Sequence, residues 1–448
     1  MAFACTNGGC TESQHFGPYS TLAIPEDSSI GIIAGAVAAV VVVIIVIVII
    51  AVFVMRRRNR QKPRKDSPPV VKENKINKQK PRKDPPPVVT ENKINKPIVM
   101  EDFERTVEDS HNNANLKFSL EYEEIKTLTD PKTLNGVTTK LAQTEENKLK
   151  NRYVNILPYD KTIVKLLPLA DDDDNATTFI NANYIPGYRS QREYIASQGP
   201  IPSTIDDFWR MVWEQSVAII VMLTLCTEKG RIKCECYWPT DVHDPKQYRD
   251  IVVELTSFST LNTYEIRVFK LTMGDTTRCV KHFHFLKWAD FGADVQNDVM
   301  IDFIQNVRSH VRIPESKVPM IVHCSAGVGR TGTYITLDHW MQFIHDHDFS
   351  NSIDIFKTVV EMRKCRMYMV QTEQQYIFIY DCIRDILKKK RLFLREQEEA
   401  DNENYYGNEE DLKNEKFYEN TEFGTSEEVL YDNKEVMYDN KAFGKDLF

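Results

Sequence analysis

Basic residues are missing from the first 55 positions of the chain. No Lys or Arg precedes Arg56, whereas a cleavable secretory signal begins with a basic stretch. The apolar run at residues 30–55 is also too long for the core of such a signal. The N-terminus is therefore not predicted to be a cleaved signal peptide.

Cysteine is also sparse, and its distribution excludes a disulfide framework. Seven of the nine cysteines follow residue 220 in apolar surroundings, as reduced intracellular cysteines do. Cys5 and Cys10 stand apart near the N-terminus. They belong either to a small disulfide loop outside the cell or to the edge of a larger extracellular domain. The net charge of −8 argues against nucleic acid as the main partner, although this average combines a basic and an acidic segment.

Residues 30–55 carry no charged or polar side chain, and about 20 apolar residues suffice to cross a bilayer. A buried core helix is the alternative, which so long a β-branched run disfavours. The sequence "RRRNRQKPRK" follows directly, so the positive-inside rule predicts a single pass through the plasma membrane. The short segment 1–29 then lies outside the cell, and everything after the span is cytoplasmic. Gly31 and Gly35 have the spacing of a helix-pairing motif.

Two charged segments flank the central part of the chain. Residues 56–109 form a predicted linker in which an 18-residue sequence, residues 61–78, recurs as residues 79–96. From Arg56 to Lys96 it has 15 Lys and Arg against 4 Asp and Glu, so it is either a solvated spacer or a stretch attracted to anionic lipid. Residues 396–448 are acidic and predicted to be disordered.

The aromatic and apolar patterns concentrate in residues 110–395, which we predict to form one domain. Apolar residues recur at helical spacing in "TIDDFWRMVWEQ", "NDVMIDFIQNVRSHV", "TYITLDHWMQFIHDH" and "EQQYIFIYDCIRDILKKK". Strand patterns occur in "VAIIVMLT", "RIKCECYW", "DIVVELTSF", "TYEIRVFKLT", "VKHFHFLKW" and "PMIVHC". The fold class is therefore α/β, with a twisted mixed sheet flanked by helices and preceded by one transmembrane helix.

The stretch "PMIVHCSAGVGRTG" joins a predicted strand to a predicted helix through a loop of small residues. Backbone N–H groups and a helix N-terminus favour an anion in such a loop. Gly327 and Gly329 let the backbone turn and approach a ligand. Cys324 is then a nucleophilic thiolate, and Arg330 holds two phosphate oxygens. The C-x5-R spacing alone also fits sulfur-transfer enzymes and phosphatases of several substrate classes.

The whole sequence "HCSAGVGRTG" resembles the signature of the protein tyrosine phosphatases, and the resemblance extends over about 285 residues. It implies that Cys324 attacks phosphorus while a loop binds the phosphate oxygens. His323 and Thr331 would support the site, with the Thr331 hydroxyl reaching back toward the thiolate. The residues of the phosphate loop are Ser325, Ala326, Gly327, Val328 and Gly329.

Further motifs of this family appear in the expected order. In "KNRYVNILPYD", Tyr153 would stack on the substrate ring, and Asn155, where many members have Asp, would hold the substrate backbone. In "TEKGRIKCECYWP", Glu228 would orient Arg330, and Lys233 would approach the acid loop. In "VQTEQQYIF", Gln371 would position the hydrolytic water with the support of Gln375.

The acid loop departs from the family pattern. It reads "WADFGAD" at residues 288–294, where the family usually has Trp-Pro-Asp-His-Gly followed by a small residue and Pro. Asp290 is retained as general acid, then base. Ala289 and Asp294 replace the two prolines, and Phe291 replaces the His. Since proline fixes φ, we expect a wider range of loop conformations and slower turnover.

The resemblance is to the receptor-type branch whose extracellular parts carry fibronectin type III repeats. It implies a transmembrane phosphatase that acts on phosphotyrosine proteins with no metal or organic cofactor. The alternative is a phosphotyrosine-binding receptor with very slow turnover, which only the altered acid loop favours. Three tail tyrosines share the pattern Tyr-x-Asn, which resembles, when phosphorylated, the ligand of an adaptor's Src-homology-2 domain; they are Tyr418, Tyr431 and Tyr438.

Other chemistry-bearing residues have plainer interpretations. Cys234 and Cys236 lack a second ligand pair and are interpreted as strand residues and not as a metal site. His282 and His284 alternate along a strand and are interpreted as structural. The acidic run at residues 170–176 is predicted to be a solvated loop.

Overall fold

The computed structural model describes residues 5–6, 9–10, 97–169, 178–288, 295–311 and 318–419, with side chains between residues 97 and 400. The chain divides into two compact units, Met1–Val88 and Val89–Phe448. Several sequence predictions lie outside the described residues. They are the span at 30–55 with Gly31 and Gly35, both repeat copies, the acidic run at 170–176, Asp290 with its neighbours 289–294, Tyr431 and Tyr438, and the side chain of Tyr418. Within the described ranges, no helix is both long and apolar enough to cross a membrane.

In the first unit, two short strands pair in antiparallel fashion. They are β1 Cys5–Thr6 and β2 Gly9–Cys10, with Cys5 directly opposite Cys10. The backbones of the two cysteines therefore face each other across the pair, as a small disulfide loop requires. The disulfide itself stays a prediction.

The second unit contains both strands and helices, with β7 to β13 following one another directly along the chain. Its strands are β3 Ile98–Val99, β4 Ile163–Lys165, β5 Phe179–Ile185, β6 Tyr194–Ser197, β7 Ile219–Met222, β8 Thr227–Glu228, β9 Arg231–Ile232, β10 Lys246–Tyr248, β11 Ile251–Thr260, β12 Tyr264–Met273, β13 Thr276–Phe285, β14 Met320–His323 and β15 Ser352–Ile353. Its α-helices are α1 Phe103–Leu128, α2 Glu145–Lys148, α3 Ile205–Glu214, α4 Asn297–Ser309, α5 Gly329–Asp346, α6 Ile355–Cys365 and α7 Glu373–Glu419.

Nine of these strands form one mixed sheet in the order β10-β11-β12-β13-β7-β14-β6-β5-β4. The four central strands β13, β7, β14 and β6 are parallel to one another, and every pair farther out is antiparallel. The predicted mixed sheet flanked by helices is therefore confirmed. Since β14 lies inside the parallel part, its C-terminal end opens toward the loop that carries Cys324, where α/β sheets usually bind ligands.

Both faces of the sheet are buried, because successive side chains of each central strand enter opposite layers. In β7, Ile219 and Val221 join the layer beneath α1, α4, α5, α6 and α7, whereas Ile220 and Met222 join the layer beneath α3. The uninterrupted apolar runs "IIVM" of β7 and "MIV" of β14 follow from this double burial.

The packed body begins before residue 110, so the predicted linker boundary was wrong. Strand β3 pairs with β15, and Phe103 and Val107 of α1 are fully buried in the larger core layer. The Phe103 ring stacks on Tyr380 of α7 with centroids 5.9 Å apart. In residues 98–109 the apolar residues are separated by many charged ones, so composition alone does not indicate a buried helix there.

Two further predictions on local structure differ from the structure. Helix α7 continues to Glu419, past the start of the predicted disordered tail at residue 396. Cys234 and Cys236 follow the two-residue strand β9 in a loop and are not strand residues. Both are free thiols, Cys234 buried and Cys236 exposed.

The buried start of α1 can be tested by Phe103→Ala in the full chain. Because the ring is fully enclosed, its removal leaves a cavity and is expected to lower the free energy of unfolding by about 3–5 kcal/mol. Leu116→Ala on the same helix is the control, since the Leu116 side chain is 54% exposed and its loss should cost under about 0.5 kcal/mol. Equal losses in urea unfolding would contradict a core that includes residues 98–109.

Candidate active site

The candidate site is centred on the loop between β14 and α5. Cys324 follows the last residue of the buried strand and is itself only 5% exposed. Gly327 adopts a left-handed conformation with φ +69°, and a Cβ atom there would lie 2.1 Å from the Ser197 carbonyl oxygen. Position 327 therefore requires glycine, both because φ is positive and because β6 approaches the backbone too closely for a Cβ atom.

Five successive carbonyl oxygens of this loop accept hydrogen bonds from groups behind it. The Cys324 carbonyl faces the His323 ring, and the Ser325 carbonyl accepts from Gly199 N–H. Carbonyls 326 and 327 accept from the Arg366 guanidinium, and carbonyl 328 accepts from two backbone N–H groups. A trans peptide points its N–H opposite to its C=O. The N–H groups of residues 325–329 therefore point away from these partners, toward the cavity.

The thiol of Cys324 lies at the mouth of this set of donors. Gly327 N–H points at its sulfur over 3.2 Å. The prediction for Thr331 was wrong. Its buried hydroxyl has no hydrogen-bond partner among the described residues and does not bond the sulfur. The sulfur is contacted by backbone N–H and not by a side-chain hydroxyl.

Arg330 is held in a fixed plane at the start of α5. Its two terminal nitrogens donate to the two oxygens of Glu228 over 2.6 and 2.9 Å, and one also donates to the Leu223 carbonyl. Burial alone would raise the pKa of Glu228, but Arg330, with Thr224 and the Leu225 N–H, outweighs it and holds that pKa below its usual range. Glu228 therefore stays ionised at neutral pH and keeps the guanidinium at the cavity wall.

Tyr153 forms a further part of the cavity wall. Ser325 Oγ donates to the Lys233 carbonyl over 2.7 Å, so the Tyr153 hydroxyl is the donor in its 2.8 Å bond to Ser325 Oγ. This chain connects three separated segments, since Tyr153, Lys233 and Ser325 are far apart in sequence. The aromatic ring is thereby fixed beside the phosphate loop.

These segments enclose a cavity of about 180 Å³. Its lining residues are Tyr153, Asn155, Ile156, Lys233, Cys324, Ser325, Ala326, Gly329, Arg330, Gln371 and Gln375. Most of the predicted site residues thus meet in one place. His323, Gly327, Val328, Thr331 and Glu228 lie behind the lining and are buried. Asp290 lies outside the described residues, but Trp288 and Val295, on either side of residues 289–294, are buried in the core.

Comparison with known proteins decides the family. The family model for protein-tyrosine phosphatase matches residues 147–385, more than half of the chain. The chain belongs to the protein-tyrosine phosphatase family.

Relatives of this chain include receptor-type tyrosine-protein phosphatases and a phosphatidylinositol phosphatase. The chain is 42% identical over 299 residues to receptor-type tyrosine-protein phosphatase eta of Gallus gallus, covering 66% of this chain and 20% of that protein. It is 41% identical over 298 residues to the Homo sapiens eta protein, again 66% of this chain and 21% of the relative. It is 42% identical over 294 residues to the phosphatidylinositol phosphatase PTPRQ of Homo sapiens, 66% of this chain and 12% of the relative. The chain thus spans about a fifth or less of these relatives' length.

A buried hydrogen-bond chain ends at the loop that carries Cys324. The Tyr237 hydroxyl lies 2.8 Å from His323 Nε2 and 2.9 Å from His282 Nε2. Because His323 Nδ1 faces the Cys324 carbonyl, it carries the proton, and its Nε2 accepts from Tyr237. His282 Nε2–H then donates to the Tyr237 oxygen. His282 is therefore structural, as predicted, and it orients the tyrosine that holds His323.

Sequence reasoning missed Arg366, the largest support of the phosphate loop. It is fully buried and donates to the carbonyls of Ala326 and Gly327 and to the side-chain oxygens of Asn181 and Asn183. Burial lowers the pKa of Arg366 to about 10, so it remains charged at neutral pH. The two asparagines stand in the sequence "NANYIPG" at residues 181–187, but nothing in the sequence pairs them with a residue so far along the chain.

Gly327→Ala tests the shape of the phosphate loop. The new Cβ would meet the Ser197 carbonyl oxygen and strain φ, so the loop has to shift by more than half an ångström. Phosphatase activity is expected to fall by about 100-fold or more, since misplaced oxyanion donors cost this much. Gly274→Ala, at a left-handed glycine with open space around its Cβ, is the control for backbone strain alone. Comparable activity of the two variants would contradict the close approach to β6.

The buried histidines predict a pH dependence of stability. Burial lowers the pKa of His284 to about 4 and of His323 to about 3, well below the unfolded value of 6.5. Their stabilisation is complete above pH 6.5 and is lost as pH falls toward 4, because only the unfolded chain takes up protons. At pH 5 each of these two histidines is expected to lower the free energy of unfolding by roughly 1–2 kcal/mol.

His284→Gln isolates this effect, since Gln retains a donor for the Thr224 carbonyl that His284 Nε2 now reaches over 2.9 Å. Urea unfolding at pH 7.5 and pH 5 is expected to give a smaller loss of stability for the variant than for the unmodified chain. An identical pH dependence of the two proteins would show that His284 is not buried in its neutral form.

Proposed function

We propose that this chain is a receptor-type protein tyrosine phosphatase that hydrolyses phosphotyrosine in proteins through a cysteinyl-phosphate intermediate. The observation that carries the proposal is the orientation of the Cys324 loop. Its five carbonyls are hydrogen-bonded from behind, so five N–H groups face the space beside the Cys324 sulfur, and Glu228 holds Arg330 at the same cavity. A phosphoryl group in that space gains most when its three equatorial oxygens spread in the transition state.

The reaction has two steps. The Cys324 thiolate attacks phosphorus, the bond to the tyrosine oxygen breaks, and Asp290 protonates the departing phenolate. Water then attacks the phosphocysteine with Asp290 as base and Gln371 as its positioning group, releasing inorganic phosphate and the thiolate. Arg330 binds the phosphate oxygens throughout, and no metal or organic cofactor takes part.

The substrate class is favoured by the wall that Tyr153 makes. Its ring lies beside the loop, fixed through Ser325 and Lys233, so a substrate reaches the sulfur only with a long aromatic stem. The shorter phosphoserine side chain does not extend that far. Asn155 lines the same rim and would hold the substrate backbone through its amide.

Gln375 supports the proposed role of Gln371 in the second step, because the Gln375 side-chain oxygen accepts a hydrogen bond from the Gln371 backbone N–H over 2.9 Å.

The setting we propose for this domain is the inner face of the plasma membrane. Residues 30–55 would span the bilayer once with the N-terminus outside, and the basic segment 56–96 would associate with anionic lipid. When phosphorylated, the three Tyr-x-Asn sites at Tyr418, Tyr431 and Tyr438 would recruit an adaptor through its Src-homology-2 domain.

The proposal is tested by kcat and kcat/KM of the full chain on a phosphotyrosine peptide across pH. We expect turnover of about 1–10 per second and a roughly 100-fold loss in Asp290→Ala, with loss of the decline at alkaline pH. Ala289→Pro is expected to raise kcat, because it narrows the conformations of the acid loop. Cys324→Ser is the inactive control.

Two outcomes would contradict the proposal. If the unmodified chain is as slow as Asp290→Ala, still binds the peptide and is accelerated by Ala289→Pro, it is a phosphotyrosine-binding receptor with an impaired acid loop. If a phosphoinositide in vesicles is hydrolysed with a higher kcat/KM than the peptide, the substrate class is the one that the name of the PTPRQ relative gives.

A further inference from the structure

The backbone just before Gln371 is strained. Tyr368 and Val370 both have left-handed backbone angles, with φ of 60° and 58°. For a β-branched residue such as Val370 this conformation is a true outlier and persists only when its surroundings fix it. The strained turn is thus held from outside, and what holds it also determines where Gln371 lies.

One side of the turn is fixed by the phosphate loop. Val370 N–H donates to the Val328 carbonyl over 3.1 Å. A Cβ on Gly332 would lie 2.4 Å from the Val370 nitrogen, so the turn packs directly on the first turn of α5. Gln371 is therefore placed relative to the phosphate site through its neighbour's backbone.

The other side is fixed by a buried pair, Arg363 of α6 and Tyr122 of α1. Arg363 donates to the Met369 carbonyl over 2.8 Å and to the Val370 carbonyl over 2.7 Å. It also donates to the Tyr122 hydroxyl over 3.0 Å, and that hydroxyl donates to the Val370 carbonyl over 3.0 Å. The Arg363 guanidinium, the Tyr122 hydroxyl and the Val370 carbonyl thus form a closed triangle of hydrogen bonds. The donor of each bond is determined, because a guanidinium can only donate and a carbonyl can only accept.

We propose that Tyr122, on the N-terminal helix, is a positioning residue for hydrolysis of the cysteinyl-phosphate intermediate. Its hydroxyl holds the Val370 carbonyl and thereby fixes Gln371, the residue that orients the attacking water. The inference rests on the proposed function, since it concerns the second step of that reaction. It extends the catalytic unit to α1, outside the part of the chain that the family model matches.

The first chemical step keeps its supports when this triangle is loosened, because the Val328 carbonyl that Val370 N–H contacts also accepts from Gly332 N–H over 2.9 Å. Formation of the phosphocysteine uses Cys324, whose loop is held by Arg366, and Arg330, which is held by Glu228. Neither support touches Tyr122. A loosened turn is therefore expected to slow breakdown of the intermediate and leave its formation unchanged, which a general loss of stability would not do.

Tyr122→Phe removes only the hydroxyl, and Tyr380→Phe is a matched control. Tyr380 is equally buried against α1, where its hydroxyl contacts Glu121 and Tyr376, but it has no bond to the turn before Gln371. Both substitutions remove one buried tyrosine hydroxyl from the same helix interface. Their effects on stability should therefore be alike.

The experiment uses the full chain and radiolabelled p-nitrophenyl phosphate in a rapid-quench apparatus. The rise of protein-bound label gives formation of the intermediate, and its decay after an unlabelled chase gives breakdown. We expect Tyr122→Phe to slow the decay about three- to tenfold, the range that loss of one hydrogen bond implies, with the rise unchanged. Tyr380→Phe is expected to match the unmodified chain in both phases.

If Tyr122→Phe decays no more slowly than Tyr380→Phe, or if its rise and decay slow equally, the inference is wrong while the proposed function stands. If the unmodified chain acquires no label that Cys324→Ser abolishes, the proposed function fails and this inference fails with it.

Discussion

The constraint on which the site depends is that the carbonyls of the phosphate loop point away from the cavity. A loop of small residues between a strand and a helix has no regular partner for its backbone groups. Here every carbonyl from residue 324 to residue 328 is occupied from behind, by a histidine ring, backbone N–H groups and the buried Arg366. The opposing N–H groups therefore face the cavity, with that of Gly327 at the Cys324 sulfur. Because they are already oriented, binding an oxyanion there requires no reorganisation of the loop.

That arrangement explains why the surroundings of the loop carry so many buried polar groups. Arg366 is enclosed with two asparagines, and His323 is tied to Tyr237 and His282. Burying a charge or an imidazole is costly unless its hydrogen bonds are satisfied, so each such group needs a second layer of partners. The mixed sheet supplies these partners, because β5, β6, β13 and β14 lie side by side or close together beneath the loop.

The sequence predicted the α/β class, the main central strands and four of the helices, because those elements carry unbroken apolar periodicity. It also predicted most of the cavity lining, since the loop at residues 323–332 is so specific. It missed the start of α1, where charged residues interrupt the apolar spacing, and it placed Cys234 and Cys236 in a strand that ends at Ile232. It could not identify Arg366 or Tyr122, because both act on residues dozens to hundreds of positions away. It could not identify Arg363 either, because its role depends on the strained turn at residues 368–370 and on the distant Tyr122.

The central claim is that the loop is already shaped for a phosphoryl transition state, and a crystal structure of the chain with orthovanadate tests it most directly. We predict vanadium bonded to the Cys324 sulfur, with equatorial oxygens on the N–H groups of residues 325–329 and on Arg330. The five carbonyls should keep the partners described here. A vanadate bound elsewhere, or a loop whose carbonyls turn to new partners when it binds, would contradict the account.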